Sequence, residues 1–177
     1  MIVLGVDPGT AATGYGVVRR GEPGGPTLIE CGVIRTSPRA SLARRVTDVF
    51  DGITIFNQLK RHPAKVQVDI DGLCASIATV IAMSADNIRM AGNATFMIHD
   101  PSSGSWGSAD DLRRQADLLD QAKENLLDTY IKKTGGEREK ISAMMAAETW
   151  MRASEAYQAG FVDEITDELA MAACGDL

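Results

Sequence analysis

Histidine is scarce in this 177-residue chain: there are two, His62 and His99. That number excludes a His-rich metal site. Cysteine is nearly as rare. Cys31, Cys74 and Cys174 are odd in number and widely separated, which excludes a disulfide framework or a cysteine-built zinc site and fits reduced thiols in a cytoplasm. Long hydrophobic runs are also missing. Asp, Asn or Gly interrupts each apolar stretch before the ~18 residues a bilayer span requires, so no membrane partner is expected. Met1-Ile2-Val3-Leu4 leads directly into a strand pattern without a basic leader, so no signal peptide is expected either. Excess positive charge is absent: the net charge of −6 argues against a general nucleic-acid binder.

What is present is an ordinary core-forming composition. The apolar share is 45%, and the length suits one domain with a sizeable core. Charge is uneven along the chain: residues 1–48 carry six Arg against four acids, for +2, and residues 49–177 carry −8. That change of sign hints at two origins. The first third reads as β-structure, with "IVLGVD", "TGYGVVRR" and "TLIECGVIRT" as strands and "GEPGGP" as a hairpin loop. Leu42, Val46, Val49, Ile53, Phe56 and Leu59 then recur at helical spacing, which predicts a helix over 39–61. Gly52 inside it costs roughly 1 kcal/mol relative to Ala, and His62-Pro63 ends it.

"KVQVDID" alternates as a strand, a turn follows at Gly72, and a helix runs from there to about Ser84. "NIRM" and "ATFMIHD" read as short strands. A long helix is expected from Ser108 to Lys133, opened by a Ser108/Asp111 capping box and closed by Gly135-Gly136. Leu112, Ala116, Leu119, Lys123, Leu126 and Tyr130 give it one mostly apolar face. "EREKISAMMAA" and "SEAYQAG" are short helices, the second stopped by Gly160, and Met144, Met145 and Met151 read as core fillers. The fold class is α/β, with strands and helices alternating after residue 60.

The chemistry centres on Ser76, in the first turn of the helix after Gly72. Its plain reading is a cap or a small packing residue; its sharper reading is a nucleophile. A serine hydroxyl needs a base to take its proton, and the base needs an acid to hold its tautomer. His99 is the better base, because His62 stands at a polar helix end beside Pro63. If "KVQVDID" and "ATFMIHD" run parallel in one sheet, Ser76 and His99 emerge at the same carboxyl edge, where open α/β sheets place their sites. The amide of Ile77, at the helix start, could face a developing oxyanion.

From Val49 to Leu177 the chain resembles the Clp-type serine proteases, close to their phage and prophage head-maturation branch. The resemblance is carried by "VFDGITIFNQLKRHPAKVQVDIDGLCASIATVIAMSADNIRM", "ATFMIHDP" and "AETWMRASEAYQAGFVDEI". It implies a crotonase-like spiral of ββα units and a serine endopeptidase that needs no cofactor. Ser76 in "GLCAS" matches the nucleophile, His99 in "MIHDP" the base, and Glu148 in "AETWM" the acid, where most relatives have Asp. It further implies a peptide or protein substrate, a homo-oligomeric ring and an ATPase chaperone partner. The Ser108–Lys133 helix then resembles the handle that pairs two rings, although plain core packing accounts for its apolar face equally well. The family's Gly-Gly pair, which supplies oxyanion-hole amides, is replaced here by Val46-Thr47. Gly24-Gly25, in the hairpin loop, is no substitute.

Residues 1–48 resemble something else. "MIVLGVDPGTAATGYGVV", "IECGVIRTSP" and "SLARRV" are similar to the start of RuvC-type Holliday-junction resolvases, which are Mg-dependent nucleases of ribonuclease-H-like fold. The resemblance implies a three-stranded β segment over 1–48 ahead of a protease domain over 49–177 that lacks its usual first strands. Asp7 matches the first metal-binding carboxylate. Two-metal chemistry needs several such acids, and only Glu164 with Asp167 imitates the closing pair.

Overall fold

The computed structural model describes the backbone of Ile2–Pro8, Ala12–Arg19, Thr27–Arg35 and residues 42–166, and side chains over residues 49–166. The expected strands of the first third form β1 (Ile2–Pro8), β2 (Ala12–Arg19) and β3 (Thr27–Arg35). β1 pairs antiparallel with β2, and β2 with β3. The predicted helix is described from Leu42, as α1 (Leu42–Arg61). His62 Nδ1 accepts the Ala64 N–H at 3.1 Å just beyond its end. α1 leads into β4 (Val66–Ile70), which lies parallel to β1. Both segments of the chain thus share one sheet.

That sheet has six strands in the order β3-β2-β1-β4-β6-β9, completed by β6 (Asn87–Ala91) and β9 (Glu164–Thr166). β4 alternates as its sequence does: Val66, Val68 and Ile70 are buried while Gln67 and Asp69 are half-exposed. A second sheet has three strands in the order β5-β7-β8, from β5 (Leu73–Ala75), β7 (Thr95–Ile98) and β8 (Thr149–Arg152). β5 and β8 are absent from the sequence reading. Each is too short to show an alternation, and each is fixed by its neighbour β7 rather than by its own pattern.

α2 (Ile77–Ala82) is buried over all six residues. A helix apolar on every side belongs in a core. α3 (Ala109–Thr134) starts at the N-cap Ser108 with the expected capping box to Asp111, and stops at Gly135 in the left-handed conformation, φ 67°. Its apolar stripe divides. Leu126 and Tyr130 enter the core, whereas Leu112 and Ala116 are exposed, as is Leu118 beside them. Tyr130 meets Phe161 edge-on at 5.6 Å, and Phe161 stacks at a tilt on Phe96 at 5.4 Å. The two short helices expected after it are α4 (Arg138–Ala146) and α5 (Ala153–Gln158). Met145 and Met151 are core residues, and Met144 packs partly buried against them.

Candidate active site

Ser76 is not in the first turn of α2. It occupies the N-cap position, after β5, with φ 58° and ψ −131° and no side-chain capping bond. The capping reading therefore does not hold. A non-glycine residue in this region of backbone space costs about 1–3 kcal/mol and persists only where its surroundings fix it. Its hydroxyl points elsewhere: Ser76 Oγ lies 2.8 Å from His99 Nε2. Both residues are partly buried.

The route by which they meet differs from the expected one. β4 and β7 belong to different sheets. The pairing that matters is β5 against β7, parallel, with Leu73 opposite Thr95, Cys74 opposite Phe96 and Ala75 opposite Met97. Ser76 extends that ladder by donating its N–H to Met97 O at 3.0 Å. Ser76 and His99 thus leave adjacent parallel strands at the same end, the edge where such strands gather functional groups. Among the described residues, the His99 ring makes no other hydrogen bond.

Glu148 lies close in the chain path but turns away. Residues pair antiparallel between β7 and β8, ending with Ile98 opposite Thr149. Continued by one step, that register sets Glu148 opposite His99. The Glu148 backbone is left-handed, φ 49°, and its exposed carboxylate accepts the Trp150 indole N–H at 3.2 Å. The structure thus brings Ser76 and His99 together and leaves the Glu148 carboxylate on a different partner.

Ile77 is the first residue of α2, so its N–H has no acceptor within the helix. Its side chain is buried against α1 at Gly52: a Cβ built at Gly52 would stand 2.1 Å from Ile77 Cγ1. This close approach explains a glycine that helix propensity alone disfavours. Positions 46 and 47 lie within α1, so their amides belong to the helix ladder. Cys74, two residues before Ser76, is no rival nucleophile, because burial pushes its thiol up to about 12.

Two features escaped the sequence reading. Asp100, beside His99, accepts from Lys123 Nζ of α3 at 2.8 Å, while its Oδ1 is buried without a partner among the described residues. Lys123 is the one charged member of the mostly apolar face of α3, and its sequence position gives no sign of this reach. The second is a buried hydroxyl pair, Thr79 Oγ1 and Tyr130 OH, 2.7 Å apart. The three-residue offset from Ser76 to Thr79 was the one available signal.

For metal binding, no group of three or more His, Cys, Asp or Glu is placed to hold an ion among the described residues. The side chains of Asp7 and Asp167 lie outside them, and Glu164 is exposed on β9. No helix among the described residues is long and apolar enough to cross a membrane.

Comparison with known proteins bears on residues 47–169, which match the sequence model of the Clp protease family, described as "Clp protease". The ATP-dependent Clp protease proteolytic subunit 1 of Chlamydia abortus is 34% identical over 118 residues, covering 64% of this chain and 62% of that protein. The ATP-dependent Clp protease proteolytic subunit of Streptococcus pneumoniae is 33% identical over 118 residues, 64% of this chain and 60% of that protein. The chain thus spans about three-fifths of the length of these relatives. Among solved structures, a point mutant of ClpP1 from Listeria monocytogenes superposes with a TM-score of 0.61 at 26% identity, covering 67% of each chain. The ClpP-like α/β fold expected for the main part of the chain is therefore present.

Proposed function

Because this chain belongs to the Clp protease family, we propose that it is a serine endopeptidase with Ser76 as nucleophile and His99 as base. The observation that carries this reading is the 2.8 Å contact from Ser76 Oγ to His99 Nε2 at the ends of two parallel strands. The contact is made by a serine whose backbone is held in a strained conformation instead of capping its helix. Oγ attacks the scissile carbonyl as Nε2 takes its proton. The carbonyl oxygen gains charge, which the Ile77 N–H stabilises from the start of α2. His99 returns the proton to the leaving amine, leaving an acyl-serine. A water then attacks the ester, with His99 again as base, and frees Ser76.

Glu148 is the acid of this reading. Its carboxylate leaves Trp150 and turns towards His99 Nδ1, a rearrangement that its place opposite His99 in the strand register supports. With positions 46 and 47 inside α1, the family's Gly-Gly donors have no counterpart there. Loss of one oxyanion donor lowers the rate by ~10²–10³, so the enzyme is expected to be slow. Its substrate class is peptide or protein, as befits the phage head-maturation branch, in the cytoplasm. Exposed Leu112 and Leu118 on α3 support a ring-forming homo-oligomer, and the relatives' name, ATP-dependent protease, supports an ATPase partner.

A fluorophosphonate probe tests the reading: it should label the chain at Ser76, and Ser76→Ala and His99→Ala should abolish the label. A wild-type chain that takes no label, or a Ser76→Ala chain that still does, would overturn it.

A second reading, a Mg-dependent junction endonuclease, rests on Asp7 lying in β1 of the β1–β3 unit. Cleavage of a synthetic four-way DNA junction with Mg, lost in Asp7→Asn, is its test. The reading of 1–48 as a segment of separate origin from 49–177 rests on its sequence motifs alone.

A further inference from the structure

Ser76 sits where its own side chain disfavours it, so its neighbours must hold it. On the amino side, its N–H donates to Met97 O at 3.0 Å. On the carboxyl side, its C=O accepts twice from one residue: from the Thr79 N–H at 3.0 Å and from Thr79 Oγ1 at 2.5 Å. A threonine hydroxyl has a single proton, and here that proton is committed to Ser76 O. The 2.7 Å contact between Thr79 Oγ1 and Tyr130 OH therefore has tyrosine as the donor. A threonine bonding back to a carbonyl one turn earlier is ordinary in helices. A buried tyrosine from another helix that feeds that bond is not.

The pair is costly as mere packing. Thr79 is 0% exposed and Tyr130 1%, and buried hydroxyls gain little over an apolar pair of the same shape, such as Val with Phe. What the hydroxyls do is grip one peptide group. The Ser76 C=O and the Ile77 N–H belong to the same planar unit and point in opposite directions. Pulling the carbonyl inward towards Thr79 aims the Ile77 N–H outward, away from the core.

We propose that Tyr130 and Thr79 are positioning residues, a buried hydroxyl relay that fixes the Ser76–Ile77 peptide and so aims both the nucleophile and the oxyanion amide. This inference rests on the reading of Ser76 as nucleophile. Tyr130 is itself held by its edge-on contact with Phe161, so the relay anchors the site to α3.

The test uses the full chain and a fluorophosphonate, with the maximal inactivation rate separated from probe affinity and the thermal midpoint measured alongside. Thr79→Val keeps the shape and removes the hydroxyl. It should slow inactivation by about 10-fold or more, as misplacement of a reacting group does, with probe affinity unchanged. Thr79→Ser keeps the hydroxyl and should stay close to the wild-type rate, although it loses a buried methyl group. Tyr130→Phe keeps the ring on Phe161, should also slow inactivation, and decides the matter if Thr79→Val does not fold. Wild-type rates in Thr79→Val or Tyr130→Phe, with wild-type label intact, would overturn the relay alone. So would reactivities that simply follow the thermal midpoints. A wild-type chain that takes no label would overturn the nucleophile reading and the relay with it.

Discussion

Replacing Gly52 by alanine sets two effects of opposite sign against each other. Helix propensity alone favours alanine by about 1 kcal/mol at an interior position, and Gly52 lies well inside α1. The added Cβ, however, would stand 2.1 Å from Ile77 Cγ1 and 2.6 Å from Cδ1, where carbon atoms rest at about 3.5–4.0 Å. The Cδ1 contact could be relieved by rotating the end of the side chain. The Cγ1 contact could not, because Cγ1 hangs directly on a β-branched carbon whose χ1 is restricted in a helix. Ile77 is 8% exposed, so it has no free space to enter. Overpacking of this kind costs about 1–3 kcal/mol. Clash wins over propensity, and Gly52→Ala should destabilise the chain by up to about 2 kcal/mol, a fall in thermal midpoint of up to about 8 °C. In an Ile77→Ala background both clashing atoms are gone, and the same change should be neutral or stabilising. Unfolding of the four chains of this cycle measures the coupling. A Gly52→Ala chain more stable than wild type, or equal effects in both backgrounds, would refute the reasoning.

Other expectations are as direct. On the role proposed for Glu148, Glu148→Gln should lower the rate at which Ser76 is labelled, by up to about 10⁴-fold, the loss known for a triad acid, with Glu148→Asp closer to wild type; stopped-flow labelling distinguishes them. Ser108→Ala removes the oxygen that caps the Asp111 N–H and should cost about 1 kcal/mol, read as a lower thermal midpoint. Cys74 should resist alkylation at pH 8 in the folded chain, because burial holds its thiol up to about 12, and should react once the chain is unfolded in urea. The Asp86 carboxylate accepts the Val66 N–H and an ammonium hydrogen of Lys65, which hold its pKa below the ordinary value. A depressed folded pKa contributes stability above the usual carboxylate range and loses it as pH falls through the folded value. Asp86→Asn should therefore flatten part of the acid-side decline, measured as denaturation midpoints against pH.

Local patterns in the chain were sufficient for much of the fold. The alternation of Val66, Val68 and Ile70, the Ser108/Asp111 box and Gly135 each specify their own element, because strand faces, caps and left-handed turns are set within a few residues. The pairing of Ser76 with His99 was legible as chemistry, since Ser76 stands at a strand-to-helix corner and the chain has only two histidines, one of them at a polar helix end. Its geometry was not: β5, three residues long, carries no period of its own, and only its parallel pairing with β7 places Ser76 beside His99. The proposed acid was the least legible, because a side chain's direction depends on its neighbours, and here Trp150 donates to the Glu148 carboxylate.

By itself, then, the sequence determined the elements that depend on neighbouring residues, a candidate serine–histidine couple, and membership of a protease family through its motifs. The tertiary structure alone decided what depends on distance across the fold. It set the strained Ser76 backbone, the grip of Thr79 and Tyr130 upon it, the closeness of Gly52 to Ile77, and the partition of α3 into a buried and an exposed half. Periodicity records which face of an element is apolar; it does not record which other element comes to cover that face.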